Sequence, residues 1–343
     1  MIDVSGRHVR FLCDFGPAFT GADFRGGGVG GTESCVVLLA EELARRGARV
    51  VVANNVTAVT SERGVTYQPL HSPDAGPSDI VVLWKHWSDV AVNHGGRKVF
   101  LWTDVHVTDP RTLRRAREWA DISFTLSRFQ YEHLVAVSGR DKLLSLDGAP
   151  IAVDDYAGDV AKKEPLLLYC SVPDRGLYYL KELFPRIRRR VPEARLAITS
   201  DFSLWGAQPA KASFQRFFEG HEAVDYFGHV SRHELVALQR RARVMAYPCN
   251  FPEGFCLAAA ECSAAAAVPV TTKGYALVES VADGGVLIPG HPRGWLYRRR
   301  FVRACVELLT DDTRWQAYAE RGRRRALDLF SPARVLDRLL QSA

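Results

Sequence analysis

The chain has no CxxC pair and no histidine spaced with cysteines as zinc requires. Its seven cysteines, Cys13, Cys35, Cys170, Cys249, Cys256, Cys262 and Cys305, are an odd set, several inside apolar runs. They read as buried thiols of a reducing compartment rather than as a disulfide framework. No apolar run reaches about 18 residues, so no membrane span is expected. Met1 leads directly into polar residues and a strand pattern, without the apolar stretch of a secretory leader. The expected location is cytoplasmic, with peripheral contact to a membrane left open. Tandem repeats and low-complexity tracts are also missing.

What is present is ordinary globular protein. Hydrophobic residues make up 47% and charged residues 24%, a balance that excludes intrinsic disorder and allows a real core. At 343 residues the chain exceeds what one core usually organises, and two domains are expected. The formal charge of +6 is concentrated in short runs, Arg188–Arg190, Arg298–Arg300 and Arg321–Arg325. Such runs more often form solvated faces than sites, and no interleaving of aromatic and basic residues points to nucleic acid.

Short β-rich runs alternate with helical patterns throughout, as in parallel sheets covered by helices. In the first half, strands are expected at His8–Phe15, Arg49–Ala53, Asp79–Trp84, Lys98–Thr103, Ile122–Leu126 and Leu143–Leu146. A helix is expected from Glu33 to Arg46, capped by Thr32 and stopped by Gly47, and another from Arg128 to Val137, capped by Ser127. From Ile151 to Glu164 the pattern dissolves, which marks a linker. Beyond it strands and helices alternate again to Val268–Thr271, and three helices close the chain. The expected division is 1–160, 161–329 and a terminal helix, 330–343.

Two segments carry chemistry. The first is Gly26–Glu33, GGGVGGTE, in which Gly26, Gly28 and Gly31 formally match GxGxxG. About ten residues separate it from the first strand, and the second strand ends in Asn54 and Asn55 rather than an acid, so a nicotinamide site fails on both counts. A loop that closes on an anion at the start of the Glu33 helix remains sensible, with Gly30 and Gly31 as donor-binding candidates. The second is Tyr247–Val270, YPCNFPEGFCLAAAECSAAAAVPV. Here a strand ends, a loop carries Glu253 and Gly254, and a helix of small residues follows with Glu261 inside it. Eight positions separate the acids, so two turns can bring both toward one side, at the mouth of a parallel sheet. The amides of Gly254, Phe255 and Cys256 suit a diphosphate. Glu261 among alanines needs a partner, a ligand or a local salt bridge.

This segment resembles the retaining GT-B glycosyltransferases of family four. The hallmark of two Glu separated by seven residues, opening as E-G-F and closing near P-V, is met by Glu253, Gly254, Phe255, Glu261, Pro269 and Val270. Further likenesses are GGVGGTE, SRFQ from Ser127, SVPDRGL from Ser171, FGHVSRHEL from Phe227 and ALVES from Ala276. The resemblance implies two Rossmann-like, doubly wound α/β domains facing across a cleft, with the C-terminal helix packing back on the N-terminal domain. It implies an enzyme that moves a sugar from a nucleotide diphosphate donor, UDP- or GDP-linked, to a small-molecule or glycan acceptor. Retention of anomeric configuration, and no metal or other cofactor, go with it.

By the same resemblance Glu253 contacts the transferred sugar and Glu261 the donor ribose. Arg175, Gly254 and Phe255 hold the diphosphate, and Val230 meets the nucleobase through its backbone. His106 and Asp104, in LWTDVH, are candidates for the catalytic residue of the N-terminal half. The chain departs from the family pattern in two places. Tyr169, Cys170 and Ser171 stand where a second cation often precedes Arg175, leaving Lys273 or Arg128 as substitutes. Ala266-Ala267 stands where many members have glycine, read as a modest packing change. Trp84, His86 and Trp102 could stack on an acceptor, although core packing is the commoner use of tryptophan. The rival readings are a nucleotide-sugar epimerase or coupling enzyme on the same frame, a non-catalytic nucleotide-sugar-binding protein and, more remotely, a dehydrogenase.

Overall fold

A computed structural model describes residues 3–72, 77–85, 88–91, 94–102, 109–160, 163–199, 201–202 and 214–342. The chain divides into two compact units. The first takes residues 1–25, 29–151 and 331–343, and the second takes 26–28 and 152–330.

The first unit is built on strands β1 (His8–Leu12), β2 (Arg49–Asn54), β3 (Thr60–Glu62), β4 (Val65–Pro69), β5 (Ile80–Lys85), β6 (Arg97–Trp102), β7 (Ile122–Thr125) and β8 (Leu143–Ser145). Their order is β3-β4-β2-β1-β5-β6-β7-β8. All neighbours are parallel except β3 and β4, a hairpin that the sequence reading does not contain. Its turn, Arg63-Gly64, has both residues at positive φ, 47° and 79°. That is the backbone of a tight two-residue hairpin without the usual Asn or Asp signal. β1 pairs with β2 from His8↔Arg49 to Leu12↔Ala53 and with β5 on its other side. The chain therefore winds outward from β1 in both directions, and right-handed crossovers place helices on both faces.

Helices α1 (Gly21–Arg25), α2 (Gly31–Arg45), α3 (Pro110–Trp119) and α4 (Arg128–Ser138) connect these strands. α4 starts as expected, with the Ser127 side chain accepting from the Gln130 amide. α2 does not: its cap is Gly30, and no side chain caps it in the way expected of Thr32. Trp84 and Trp102 are fully buried core residues, which removes them as stacking surfaces.

The second unit contains β9 (Leu166–Tyr169), α5 (Leu177–Arg188), β10 (Arg195–Ile198), β11 (Val224–Tyr226), α6 (Arg232–Arg241), β12 (Val244–Tyr247), α7 (Leu257–Ala264), β13 (Val268–Thr272), α8 (Leu277–Ser280), β14 (Val286–Ile288), α9 (Trp295–Thr310) and α10 (Asp312–Leu329). Its strand order is β11-β10-β9-β12-β13-β14, all parallel. Continuous apolar runs such as Leu166–Leu168 and Val244–Tyr247 are buried on both faces, as a doubly covered sheet requires. The stretch read as linker holds a short 3₁₀ turn, Val153–Tyr156, whose Tyr156 is fully buried in this unit.

The last helix, α11 (Pro332–Ser342), returns to the first unit and packs on α2. Its Val335, Leu336, Leu339 and Leu340 are buried. Arg46, just past α2, bonds Asp337 Oδ1 at 2.7 Å and the Ala333 carbonyl at 3.0 Å. The terminal helix thus packs back on the N-terminal half, as the sequence led one to expect.

Candidate functional site

In the second sheet the winding direction reverses between β9 and β12, since the chain runs β9-β10-β11 one way and β12-β13-β14 the other. Ligands of open α/β sheets bind at such a switch point, beyond the carboxyl ends of the two strands. The loop after β9 carries Arg175 and the loop after β12 carries Glu253, so the fold itself brings these residues together.

Their meeting depends on Gly176. A 3₁₀ turn, Pro173–Arg175, ends at Gly176 with φ 127° and ψ 2°, a backbone that disfavours side chains. A Cβ there would lie 2.2 Å from the Pro248 carbonyl oxygen. Only glycine lets the two loops approach this closely.

Across that approach Arg175 Nη1 donates to Glu253 Oε1 at 3.1 Å and Oε2 at 2.9 Å. The Tyr247 hydroxyl donates to Oε1 at 2.5 Å and receives the Ser171 hydroxyl at 3.2 Å. The Arg175 guanidinium also lies 4.4 Å from the centre of the Phe251 ring. Glu253 is only 4% exposed at its side chain, so its charge is compensated by these partners rather than by water. Burial opposes the charge on Arg175, but Glu253, then Tyr247 and Cys256, outweigh it and hold the guanidinium above its ordinary value. Burial, with Glu253 adding, pushes the Tyr247 hydroxyl far up, so it stays protonated and donates.

α7 begins at Leu257 with Cys256 as its cap and no capping side chain. Among the described residues the amides of Gly254 and Phe255 donate to no protein group. The Phe255 ring packs edge-on against Phe330 at 5.0 Å. The Cys256 amide is different: it donates to the Ser280 hydroxyl at 3.0 Å. Of the three amides expected to face a donor, that of Cys256 already has a protein partner.

Glu261, on the fifth position of α7, does find a local partner. Arg232 Nη1 donates to its Oε1 at 2.7 Å and Gln239 Nε2 to its Oε2 at 3.4 Å. The other edge of Arg232 bonds Asp155 Oδ2, from Nε at 2.9 Å and Nη2 at 2.8 Å. Arg232 stands in the FGHVSRHEL segment but carries no role in the sequence reading. Its signal was the Ser231/Glu234 capping box, which fixes the first turn of α6. Val230 is half-buried just before that cap. Gly26 accepts from the Arg232 amide at 3.2 Å, and a Cβ on Gly28 would lie 4.0 Å from the Val230 carbonyl.

In the first unit, Gly30 and Gly31 stand at the start of α2 as expected, but the anion there is the chain's own. A Cβ on Gly30 would lie 2.2 Å from Glu33 Oε2, and one on Gly16 would lie 2.9 Å from Oε1. The buried Glu33 carboxyl therefore fills the space beside the helix start. Burial raises its pKa, and its own backbone N–H and then Lys85 counter this only in part. Asp104, His106 and His86 lie outside the described residues. Of the substitute cations, Arg128 pairs with Glu132 at 3.0 Å on an exposed helix face, and Lys273 is exposed. Among the described residues no cluster of His, Cys, Asp or Glu could hold a metal ion, and no helix is long and apolar enough to cross a membrane.

Residues 157–325 match the family model described as glycosyl transferases group 1. Among solved structures, sucrose-phosphate synthase from Thermosynechococcus elongatus superposes with a TM-score of 0.74 at 16% identity, over 98% of both chains. HepE of Anabaena, in complex with UDP-glucose, gives 0.73 at 14% over 98% of this chain and 99% of its own. The catalytic domain of starch synthase IV from Arabidopsis thaliana, bound to ADP and acarbose, gives 0.70 at 11% over 98% and 99%. No curated protein sequence matches the chain. At these identities the superpositions establish the fold, which is GT-B. Residues 157–325 belong to the glycosyl transferases group 1 family, family four, and the protein that carries them is a glycosyltransferase.

Proposed function

We propose that the protein moves a sugar from a UDP- or GDP-sugar to a hydroxyl of a small-molecule or glycan acceptor, with retention and without a metal ion. The observation that carries this reading is the Arg175–Glu253 pair at the β9/β12 switch point, beside the uncapped start of α7. HepE holding UDP-glucose and starch synthase holding ADP on the same fold support it.

As the bond between sugar and diphosphate breaks, negative charge grows on the leaving phosphate. Arg175, the amides of Gly254 and Phe255, and the positive end of α7 are suited to stabilise it without reorganising. Glu253 is pre-oriented by Arg175 and Tyr247 and is assigned to the hydroxyls of the transferred sugar. Glu261 is assigned to the donor ribose, and the backbone of Val230 to the base. Gly30 and Gly31 are carried as donor-binding candidates of the first unit, and Asp104 and His106 as its catalytic candidates.

Thermal shift with UDP-, GDP-, ADP- and dTDP-sugars tests the donor assignment. A ligand at a hundred times its Kd stabilises a fold by about 2.7 kcal/mol. Product analysis with the stabilising sugar then reads transfer and anomeric configuration. Glu261→Ala should weaken donor binding and Glu253→Gln should lower turnover. Wild-type behaviour of both variants would remove the assignment.

A further inference from the structure

We propose that Arg232 is a positioning residue for the donor nucleoside. It holds Glu261 so that the carboxylate offers one free lone pair on each oxygen, which favours a vicinal 2′,3′-diol over a 2′-deoxyribose. This rests on the reading of Glu261 as the ribose acceptor.

The geometry runs in steps. The Ser231/Glu234 capping box fixes the backbone at the first residue of α6, which is Arg232. Its guanidinium is a planar fork, and its Nε/Nη2 edge is taken by Asp155 at 2.9 and 2.8 Å. Nη2 also reaches the Tyr156 hydroxyl at 3.4 Å. With one edge fixed, the direction of Nη1 is fixed too, and it meets Glu261 Oε1 at 2.7 Å. The second oxygen is steered in the same way. The Tyr156 hydroxyl donates to Gln239 Oε1 at 2.6 Å, which sets that amide so that its Nε2 faces Glu261 Oε2 at 3.4 Å.

The side chain of Arg232 is 10% exposed and that of Glu261 is 13% exposed, so the network is enclosed without Glu261 being fully buried. An ionised carboxylate has about four lone-pair sites, two per oxygen. Arg232 uses one on Oε1 and Gln239 one on Oε2, and one remains on each. Two adjacent hydroxyls match that remainder, whereas a 2′-deoxyribose leaves one site unmet. Hydrogen bonds to charged groups differ enough from none that a preference on the order of ten- to a hundredfold is expected.

Isothermal titration with UDP, GDP and their 2′-deoxy counterparts tests this on wild type, Arg232→Lys, Arg232→Gln, Glu261→Ala and Arg240→Ala. Arg240 bonds the carbonyls of Asp155, Ala157 and Asp159 without touching Glu261, so it reports loss of general order. Wild type should prefer the ribonucleotide, and the Arg232 variants should lose that preference while binding of the 2′-deoxy form barely changes. In transfer assays the KM of the donor should rise about tenfold with kcat retained. Equal weakening toward both sugars, as in Arg240→Ala, means a structural role and overturns the proposal. An unchanged preference in Arg232→Lys and Arg232→Gln, with Glu261→Ala losing it, also overturns it while leaving the ribose assignment standing. If Glu261→Ala keeps wild-type affinity and preference, or wild type binds none of the four nucleotides, the underlying functional reading fails instead.

Discussion

Replacing Gly176 by alanine should damage the site more than the fold. The residue sits at φ 127°, where a side chain carries a cost of roughly 1–2 kcal/mol. The new Cβ would also lie 2.2 Å from the Pro248 carbonyl oxygen and 2.9 Å from its carbon, both of them backbone atoms. Relief to about 3.0 Å, the closest approach ordinary Cβ atoms make, requires roughly 0.8 Å of displacement between the loops. Arg175 immediately precedes Gly176 and Glu253 lies five residues beyond Pro248, so that displacement falls directly on the 2.9 Å ion pair. A misplacement of this size at a reacting centre can cost on the order of a hundredfold in rate. Gly220→Ala is the control: φ there is 78° but a Cβ would meet nothing within 4 Å, so it carries strain without collision. Urea unfolding should find both variants destabilised by about 1–2 kcal/mol, with Gly176→Ala the worse. Donor titration should find nucleotide affinity lowered about tenfold or more in Gly176→Ala alone. If Gly176→Ala binds and turns over like Gly220→Ala, the closeness of the two loops is not what organises the site.

Three further outcomes are expected. Ala266, just past α7, has φ 60°, so the departure from glycine there is conformational rather than a matter of packing, and Ala266→Gly should raise stability by up to about 1 kcal/mol in urea unfolding. Glu33 has a raised pKa in the fold, so its contribution to stability is fully present below the ordinary carboxylate range and is lost as pH rises through the raised value. Glu33→Gln should therefore gain stability relative to wild type as pH rises above the ordinary carboxylate range, and a relative loss over that rise would refute the burial argument. Asp337→Ala removes a part-exposed partner of Arg46 and should cost no more than about 1 kcal/mol. Hydrogen exchange should locate that loss in α11, and unchanged protection there would mean that the apolar face alone holds the helix.

The alternation of β-rich and helical patterns was enough to place most strands of both sheets, because doubly covered strands need long apolar runs wherever they occur. The Ser127 cap was legible for a similar local reason, a hydroxyl before a helix, whereas the return of α11 to α2 followed from the family resemblance. The β3–β4 hairpin was not, since Arg63 supplies positive φ without advertising it. The site divides along the same line. Glu253 and Glu261 stood out because their spacing is local. Their arginines lie 78 and 29 positions away along the chain. Which cation meets which acid is decided by strand order, and spacing along the chain contains no record of it. Glu33 is hidden for the opposite reason: it closes a glycine-rich run that reads as a cradle for an anion from outside the chain.

The missing second cation before Arg175 has a consistent explanation in these pairings. Two bare carboxylates beside a diphosphate would repel it, most strongly where water is excluded. Each acid instead faces an arginine, Arg175 on Glu253 and Arg232, shared with Asp155, on Glu261, so part of their charge is offset before any donor arrives. Ser171 and Tyr247 extend the support of Glu253. On the proposed reading the diphosphate then depends on the start of α7 and on whatever share of Arg175 it can take from Glu253. Turnover should respond to any change that tightens or loosens that one ion pair, even where the substituted residue never touches the donor.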